Sequence, residues 1–389
     1  MKTRFLTLFA VLITALLLAA CEAVPTEEQA GLSAESAAEG AADASAESSA
    51  MEAMPERMPY YDVELEGYEP LTSAPALFDI VEMTEETVTV RHQYGETTIP
   101  RNPQRVVTEM NTGEIMVSLG VMPVGYIAFE DQGISPILAE AAPDMVFLPV
   151  VDGPNYEQIV ALDPDLIIGS WMMGTDGNEE HYELLSAIAP TLTFNDWPGS
   201  YWQDSTRQVA MLFDRQKQAE AVIADYDAFV QETRERIAPI FGDETVSPLL
   251  FFGPTPWLYT PRYAYDDRVV PEDSTGWLYH ELGLTPGDEI AELIGSDMLG
   301  LSNVFLEISG EQLPEMTADH LVVFPNGYSG AEGISEGYTE YLESPIWATL
   351  PAVQAGNVYA ITGVNKSRGY YTKKDNMRIF ADIVTGASE

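Results

Sequence analysis

The chain has 389 residues, 46% of them hydrophobic, and its 62 acidic side chains against 18 basic ones give a formal charge of −44. So negative a surface excludes binding to nucleic acid, or to an anionic membrane face, through the body of the protein. A single cysteine, Cys21, excludes an internal disulfide and any thiolate metal site.

In chain order, Lys2 and Arg4 precede an apolar run from Phe5 to Leu18, and Ala19-Ala20-Cys21 follow. The run is too short to cross a bilayer comfortably, and a charged start, apolar middle and small-residue end make an export signal. Residues 1–20 are therefore expected to be a lipoprotein signal peptide, with Cys21 the lipidated residue that anchors the protein outside a membrane, in the periplasm or on the cell surface. Residues 21–59 are Ala, Glu, Ser and Gly with few large apolar side chains, a composition expected to stay a disordered acidic stalk because it cannot offset its ordering entropy. Residues 60–86 form an extension without an assigned role. The rest exceeds what one core usually serves, so two lobes are expected, over 87–200 and 239–389, with a connecting helix over 201–238.

A hairpin is predicted over Glu86 to Pro100, turning at Tyr94-Gly95. Strands Arg105 to Thr108, Val124 to Ile127, Leu166 to Ile168 and Thr191 to Phe194 then alternate with helices Gly113 to Leu119, Tyr156 to Leu162 and Glu179 to Ile188. That alternation implies a parallel sheet covered by helices. From Tyr201 to Ile237 apolar residues recur at three and four, the longest helical pattern in the chain, with Asp214-Arg215 as a candidate break. The second lobe repeats the alternation. Its strands fall near Leu249 to Phe252, Val304 to Ile308, Leu321 to Phe324 and Val358 to Ile361. Its helices fall near Gly276 to Leu282, Gly310 to Met316, Gly337 to Leu342 and Lys373 to Val384.

One internal correspondence spans the two lobes. Glu157-Gln158-Ile159, with Asp165 eight residues after the Glu and Ile167-Ile168 following, answers Glu311-Gln312-Leu313, Asp319 and Leu321-Val322-Val323. Enzymatic machinery is not legible: no Gly-x-Ser-x-Gly, His-Glu-x-x-His or phosphate-cradling glycine loop occurs, and His92, His181, His280 and His320 stand singly. The chain is read as a binding protein, without a cofactor.

Three stretches, Ile99-Pro100-Arg101-Asn102-Pro103-Gln104-Arg105-Val106-Val107, Leu119 through Gly125 and Tyr156 through Ile168, resemble the periplasmic solute-binding lipoproteins of ABC importers for ferric siderophores and cobalamin. Weaker matches run over His280 to Leu284, the Glu311 segment and Ile346 through Tyr359. The resemblance implies an α/β fold of two Rossmann-like lobes joined by a long rigid helix, the class III periplasmic-binding-protein type, with little motion between lobes. It implies a monomer that binds a ferric siderophore, iron entering only as part of the chelate, and hands it to an ABC permease dimer. Cobalamin or haem is the alternative cargo, and a tethered receptor or sensor without a dedicated importer the alternative role. The family's docking carboxylates carry over to Glu157 and Glu311, one per lobe.

In open parallel sheets, ligands meet the loops at the carboxyl ends of the strands. Those loops offer Asn111, Phe129, Trp171, Met172 and Trp197 in the first lobe. The second offers Trp257, Tyr259, Arg262, Tyr263, Asn326, Tyr328, Lys366, Arg368 and Tyr370. Against so acidic a background, Arg262, Lys366 and Arg368 point to an anionic ligand, and guanidinium groups both pair with oxygen anions and stack on rings.

Overall fold

The computed structural model describes residues 69–70, 76–129, 134–150, 153–169, 179–194, 202–251, 255–259, 262–265, 268–271, 275–290, 305–327, 334–364 and 369–387. All of them belong to one unit, Pro55–Glu389. The expected signal peptide, stalk and Cys21 lie outside the described residues, as do Trp171, Met172, Trp197, Tyr328, Lys366 and Arg368.

The chain enters through two short strands, β1 (Glu69–Pro70) and β2 (Asp79–Met83), and the predicted hairpin follows as β3 (Thr87–His92) and β4 (Gly95–Pro100). β2 pairs antiparallel with β3, which pairs with β4 in full register from Thr87↔Pro100 to His92↔Gly95. Val88, Val90 and Ile99 are wholly buried, so the period-two alternation supplies one apolar face to the first lobe.

The first lobe is a five-stranded sheet of β5 (Val106–Glu109), β6 (Pro123–Phe129), β7 (Val146–Val150), β8 (Leu166–Gly169) and β9 (Thr191–Thr193), in the order β7-β6-β5-β8-β9 and parallel throughout. Its helices are α1 (Met110–Ser118), α2 (Pro136–Ala141), α3 (Tyr156–Ala161) and α4 (Glu179–Ser186). Gly125 exists for space: a Cβ there would meet Leu162 Cδ1 at 2.6 Å and Leu148 Cδ1 at 3.0 Å, so the glycine lets α3 settle on the sheet. The strand β7 was not foreseen. It carries Pro149, which is tolerated because β7 is an edge strand.

The connector is two helices, α5 (Trp202–Leu212) and α6 (Gln216–Phe241), rather than one continuous element over 201–238. Asp214 takes φ 56°, a left-handed conformation that ends α5. Helix α6 alone runs 26 residues, about 39 Å at 1.5 Å per residue. It buries Ile223, Tyr226, Val230, Ile237 and Phe241 against the second lobe.

In that lobe β10 (Thr245–Phe251) pairs parallel with β16 (His320–Phe324), and β16 with β17 (Val358–Ala360). On its other side β10 turns back antiparallel into β11 (Pro256–Tyr259), which pairs with β15 (Phe305–Glu307). A hairpin of β12 (Arg262–Tyr265) and β13 (Arg268–Pro271) stands apart as its own sheet, completed by β1 through Glu69↔Arg268 and Pro70↔Val269. The short β14 (Thr285–Pro286) adds to β10. Among the described residues, the helices of this lobe are α7 (Trp277–His280), α8 (Glu336–Leu342), α9 (Pro351–Ala355) and α10 (Tyr370–Val384). The helix expected over Gly310 to Met316 is instead a 3₁₀ turn at Leu313–Glu315, with Pro314 denying it an interior N–H. The extension thus lies along both lobes, β1 on the β12–β13 hairpin and Leu77 in the first lobe's core, where its N–H donates to Gln208 Oε1 at 2.8 Å.

The two-lobe correspondence read from sequence has a backbone basis. Asp165 accepts from Gln104 N at 2.7 Å and from Arg105 N at 2.9 Å, just before β5, and Asp319 accepts from Thr245 N at 2.9 Å, at the start of β10. Each Asp then opens the strand parallel to the one it pins, Leu166 beside Val106 and His320 beside Val246.

Candidate functional site

The strand order β6-β5-β8 places a topological switch point at the carboxyl end of β5, where open α/β sheets take ligands. The chain there passes from strand to helix without a loop. Glu109 is fully buried, and Met110 carries φ 24°, a left-handed value unusual for a side-chain-bearing residue. Asn111 follows half-buried in the first turn of α1 rather than on a loop.

The corresponding edge of the second lobe is formed where β10 and β16 end and β11 begins. Leu250 is flanked by Trp257 on one side and Phe324 on the other, and Asn326 lies half-buried two residues beyond Phe324. Trp257 and Tyr259 are not on a loop after a parallel strand, as the sequence suggested. They alternate with buried Leu258 on β11, so Trp257 sits at the carboxyl edge while Tyr259 runs back towards the middle of β10. Arg262 and Tyr263 are likewise strand residues, on β12. Phe129 is the last residue of β6, not part of the loop beyond it.

Helices α1 and α10 meet across the two lobes. Glu114, wholly buried in α1, accepts from Thr372 N at 2.8 Å and from Thr372 Oγ1 at 2.6 Å in the first turn of α10. Tyr371 packs into the first lobe's cluster of Met110, Val117, Tyr126, Ala128 and Leu138, and burial pushes its hydroxyl up to about 12, aided by neighbouring Tyr370 and Glu114. Tyr370 is held otherwise. Its hydroxyl donates to Asp225 Oδ2 at 2.5 Å on α6, its ring lies 6.1 Å from Trp202 and 4.9 Å from Tyr371, and burial is the first cause raising its pKa. Helices α1 and α10 therefore meet at Glu114 and Thr372, with Asn111 ahead of Glu114 in α1 and Tyr370 ahead of Thr372 in α10.

Glu157 and Glu311 are both exposed. Glu157 lies in the first turn of α3, after the carboxyl end of β7, with Asn155 capping through Gln158 N at 3.1 Å. Glu311 follows the carboxyl end of β15, which runs parallel to β10 through the intervening antiparallel β11. Both carboxylates therefore stand on the edges that carry the candidate ligand residues. Glu114, Trp202 and Met110, which hold the first turn of α10 through Thr372, Tyr370 and Tyr371, were missed by sequence reasoning. An acid inside the apolar run Gly113-Glu114-Ile115-Met116 was the available signal, lost among so many acids.

Among the described residues, no group of three or more His, Cys, Asp or Glu is arranged to hold a metal ion, and no helix is long and apolar enough to cross a membrane.

The family model for periplasmic binding proteins matches residues 138–364. The chain belongs to that family. The probable siderophore-binding lipoprotein YfiY of Bacillus subtilis is 28% identical over 288 residues, 72% of this chain and 82% of the relative. The ferric enterobactin-binding periplasmic protein FepB of Escherichia coli is 27% identical over 289 residues, 72% and 85% respectively. In structure, Staphylococcus aureus SirA, solved with staphyloferrin B, superposes with a TM-score of 0.56 at 24% identity, covering 76% of this chain and 98% of that one, a likeness of fold. The two-lobed, class III architecture read from the sequence is that of these structures. This periplasmic binding protein is a solute-binding component and not an enzyme, in keeping with its family and relatives.

Proposed function

We propose that this chain is the lipid-anchored solute-binding component of an ABC importer, taking a ferric siderophore between its lobes and delivering it to the permease. The observation that supports the reading is the contact between α1, which follows the switch point after β5, and α10 of the lobe that carries Trp257, Phe324 and Asn326. Relatives named for siderophores and ferric enterobactin supply the cargo class. Asn111 and Asn326 would donate amide hydrogens to chelate oxygens, and Trp257 would offer a ring face. Phe129, Tyr259, Arg262, Tyr263 and Tyr370, with Trp171, Met172, Trp197, Tyr328, Lys366 and Arg368, complete the proposed contact set. The cationic members would balance the negative charge of a carboxylate or catecholate chelate.

Glu157 and Glu311 are the proposed docking pair. Two exposed carboxylates on corresponding segments of two similar lobes suit a receptor built from two like subunits, and their charge speeds encounter. Lipidation at Cys21 holds the protein near its permease, and the protein works as a monomer.

Titration of intrinsic Trp fluorescence with a ferric catecholate, a ferric hydroxamate, cobalamin and haem tests the cargo. Saturable quenching by a ferric chelate is expected, and a response to cobalamin or haem alone would refute the siderophore assignment. Glu157→Ala combined with Glu311→Ala is expected to abolish uptake by cells while leaving binding in solution intact. Unimpaired uptake would mean that delivery does not run through these carboxylates.

A further inference from the structure

Glu114 takes no part in ligand contact or docking as set out above, yet it is wholly buried where the lobes meet. Its two oxygens accept both donors of Thr372, from across the lobe boundary. Thr372 is the third residue of α10, whose first N–H groups have no partner inside the helix. The residue preceding α10, Gly369, supplies no side-chain cap. A carboxylate of the opposite lobe thus does the work of an N-cap, placed where negative charge is favoured by the 15-residue helix.

Gly369 is shaped to this contact. Its φ of −85° is open to any residue, so space is what requires glycine: a Cβ would fall 2.5 Å from Glu114 Cβ and 2.7 Å from Cδ and Oε2. Tyr371, between Gly369 and Thr372, inserts into the first lobe's core cluster and seals the junction on the apolar side. Separating the lobes here would strip a buried carboxylate of two hydrogen bonds and a helix terminus together.

We infer that Glu114 is a positioning residue for solute capture: by capping α10 from the other lobe it fixes how α1 and α10 sit against each other, and with them Asn111 and Tyr370. The inference rests on the proposed function. The contact adds a fastening between the lobes beside the α5–α6 connector, so part of the ordering cost of capture is met before the solute arrives.

Four variants test it, Glu114→Ala, Glu114→Gln, Gly369→Ala and Thr372→Val, the last keeping side-chain shape while removing one donor. Without ligand, hydrogen exchange at the Thr372 amide is expected to accelerate about tenfold or more in Glu114→Ala, with β10 and β16 amides unchanged. With a ferric tris-catecholate as probe, the dissociation constant is expected to rise about tenfold in Glu114→Ala and Gly369→Ala, and less in Glu114→Gln and Thr372→Val, which keep part of the contact. Unchanged Thr372 exchange would overturn the cap. Faster exchange with affinity constant within twofold would leave Glu114 a structural residue and overturn the positioning role. A wild-type protein that binds no ferric chelate would overturn the proposed function as well, an outcome distinct from wild type and variants binding alike.

Discussion

Replacing Lys373 by methionine should cost the second lobe about 3 kcal/mol, at the low end for breaking a buried ion pair. Lys373 Nζ lies 2.6 Å from Glu281 Oε1, with the two side chains only 6% and 17% exposed, so solvent cannot take over the partner's role. The other oxygen of Glu281 accepts from the Tyr226 hydroxyl, and its main-chain carbonyl accepts from Arg234 Nε at 2.5 Å. This one residue therefore gathers α10, the connector α6 and the end of α7. Methionine keeps the length of the lysine stem but removes the cation, while the Tyr226 hydroxyl still donates to the carboxylate, which keeps the cost near the lower bound. At roughly 2 °C per kcal/mol for a chain of this size, the midpoint of thermal unfolding should fall by about 6 °C. Calorimetry with denaturant unfolding followed by intrinsic Trp fluorescence measures both quantities. Adding Glu281→Gln to Lys373→Met should recover more than half of the loss, because no charge remains buried without its counterion. A loss below about 1 kcal/mol in the single variant, or simple additivity in the double, would refute the view that this network fastens the connector to the lobe.

Asp165→Ala and Asp319→Ala should each cost about 1–2 kcal/mol in denaturant unfolding, since each leaves strand-opening N–H groups without their acceptor; a large cost in one lobe and none in the other would break the correspondence between lobes. The Asp319 carboxyl is held below its ordinary value of 3.8 by the Thr245 N–H and then its hydroxyl, and Asp225 is held below by Lys374 and Tyr370. With folded values below unfolded ones, their contribution is complete above about pH 4 and is lost as pH falls through the folded values, so Asp319→Asn should flatten the acid limb of the stability curve. Asp227, raised chiefly by burial, works in the opposite direction and should partly offset that loss. A charge of −44 repels itself, so sodium chloride raised from about 0.01 to 1 M should lift the unfolding midpoint by several degrees, and a flat response would show that the surface charge does not strain the fold.

Periodicity carried the parallel strands and long helices because their residues are buried in regular patterns: Val106, Leu166, Ile168 and Leu192 share one apolar face, and the α6 stripe recurs every third or fourth residue. The strands β11 to β13 were hidden by Pro254, Pro256 and Pro261, which punctuate the sequence like loop residues even though Trp257-Leu258-Tyr259 alternates as a strand should. A two-residue strand such as β1 has no period to detect, so the docking of the extension on the β12–β13 hairpin is visible only in three dimensions. The same holds for Glu114 and Thr372, whose separation of 258 positions leaves no local trace of their contact. The sequence conveys which residues end the strands, whereas which of those ends face one another depends on packing between lobes.

The most direct test of the account is a crystal structure of the protein with a ferric tris-catecholate, with iron located by anomalous scattering. The account predicts one iron peak between the carboxyl ends of β5 and β10, bordered by Asn111 from the first lobe and Asn326 or Trp257 from the second. A peak on an outer face, or one enclosed by residues of a single lobe, would contradict it.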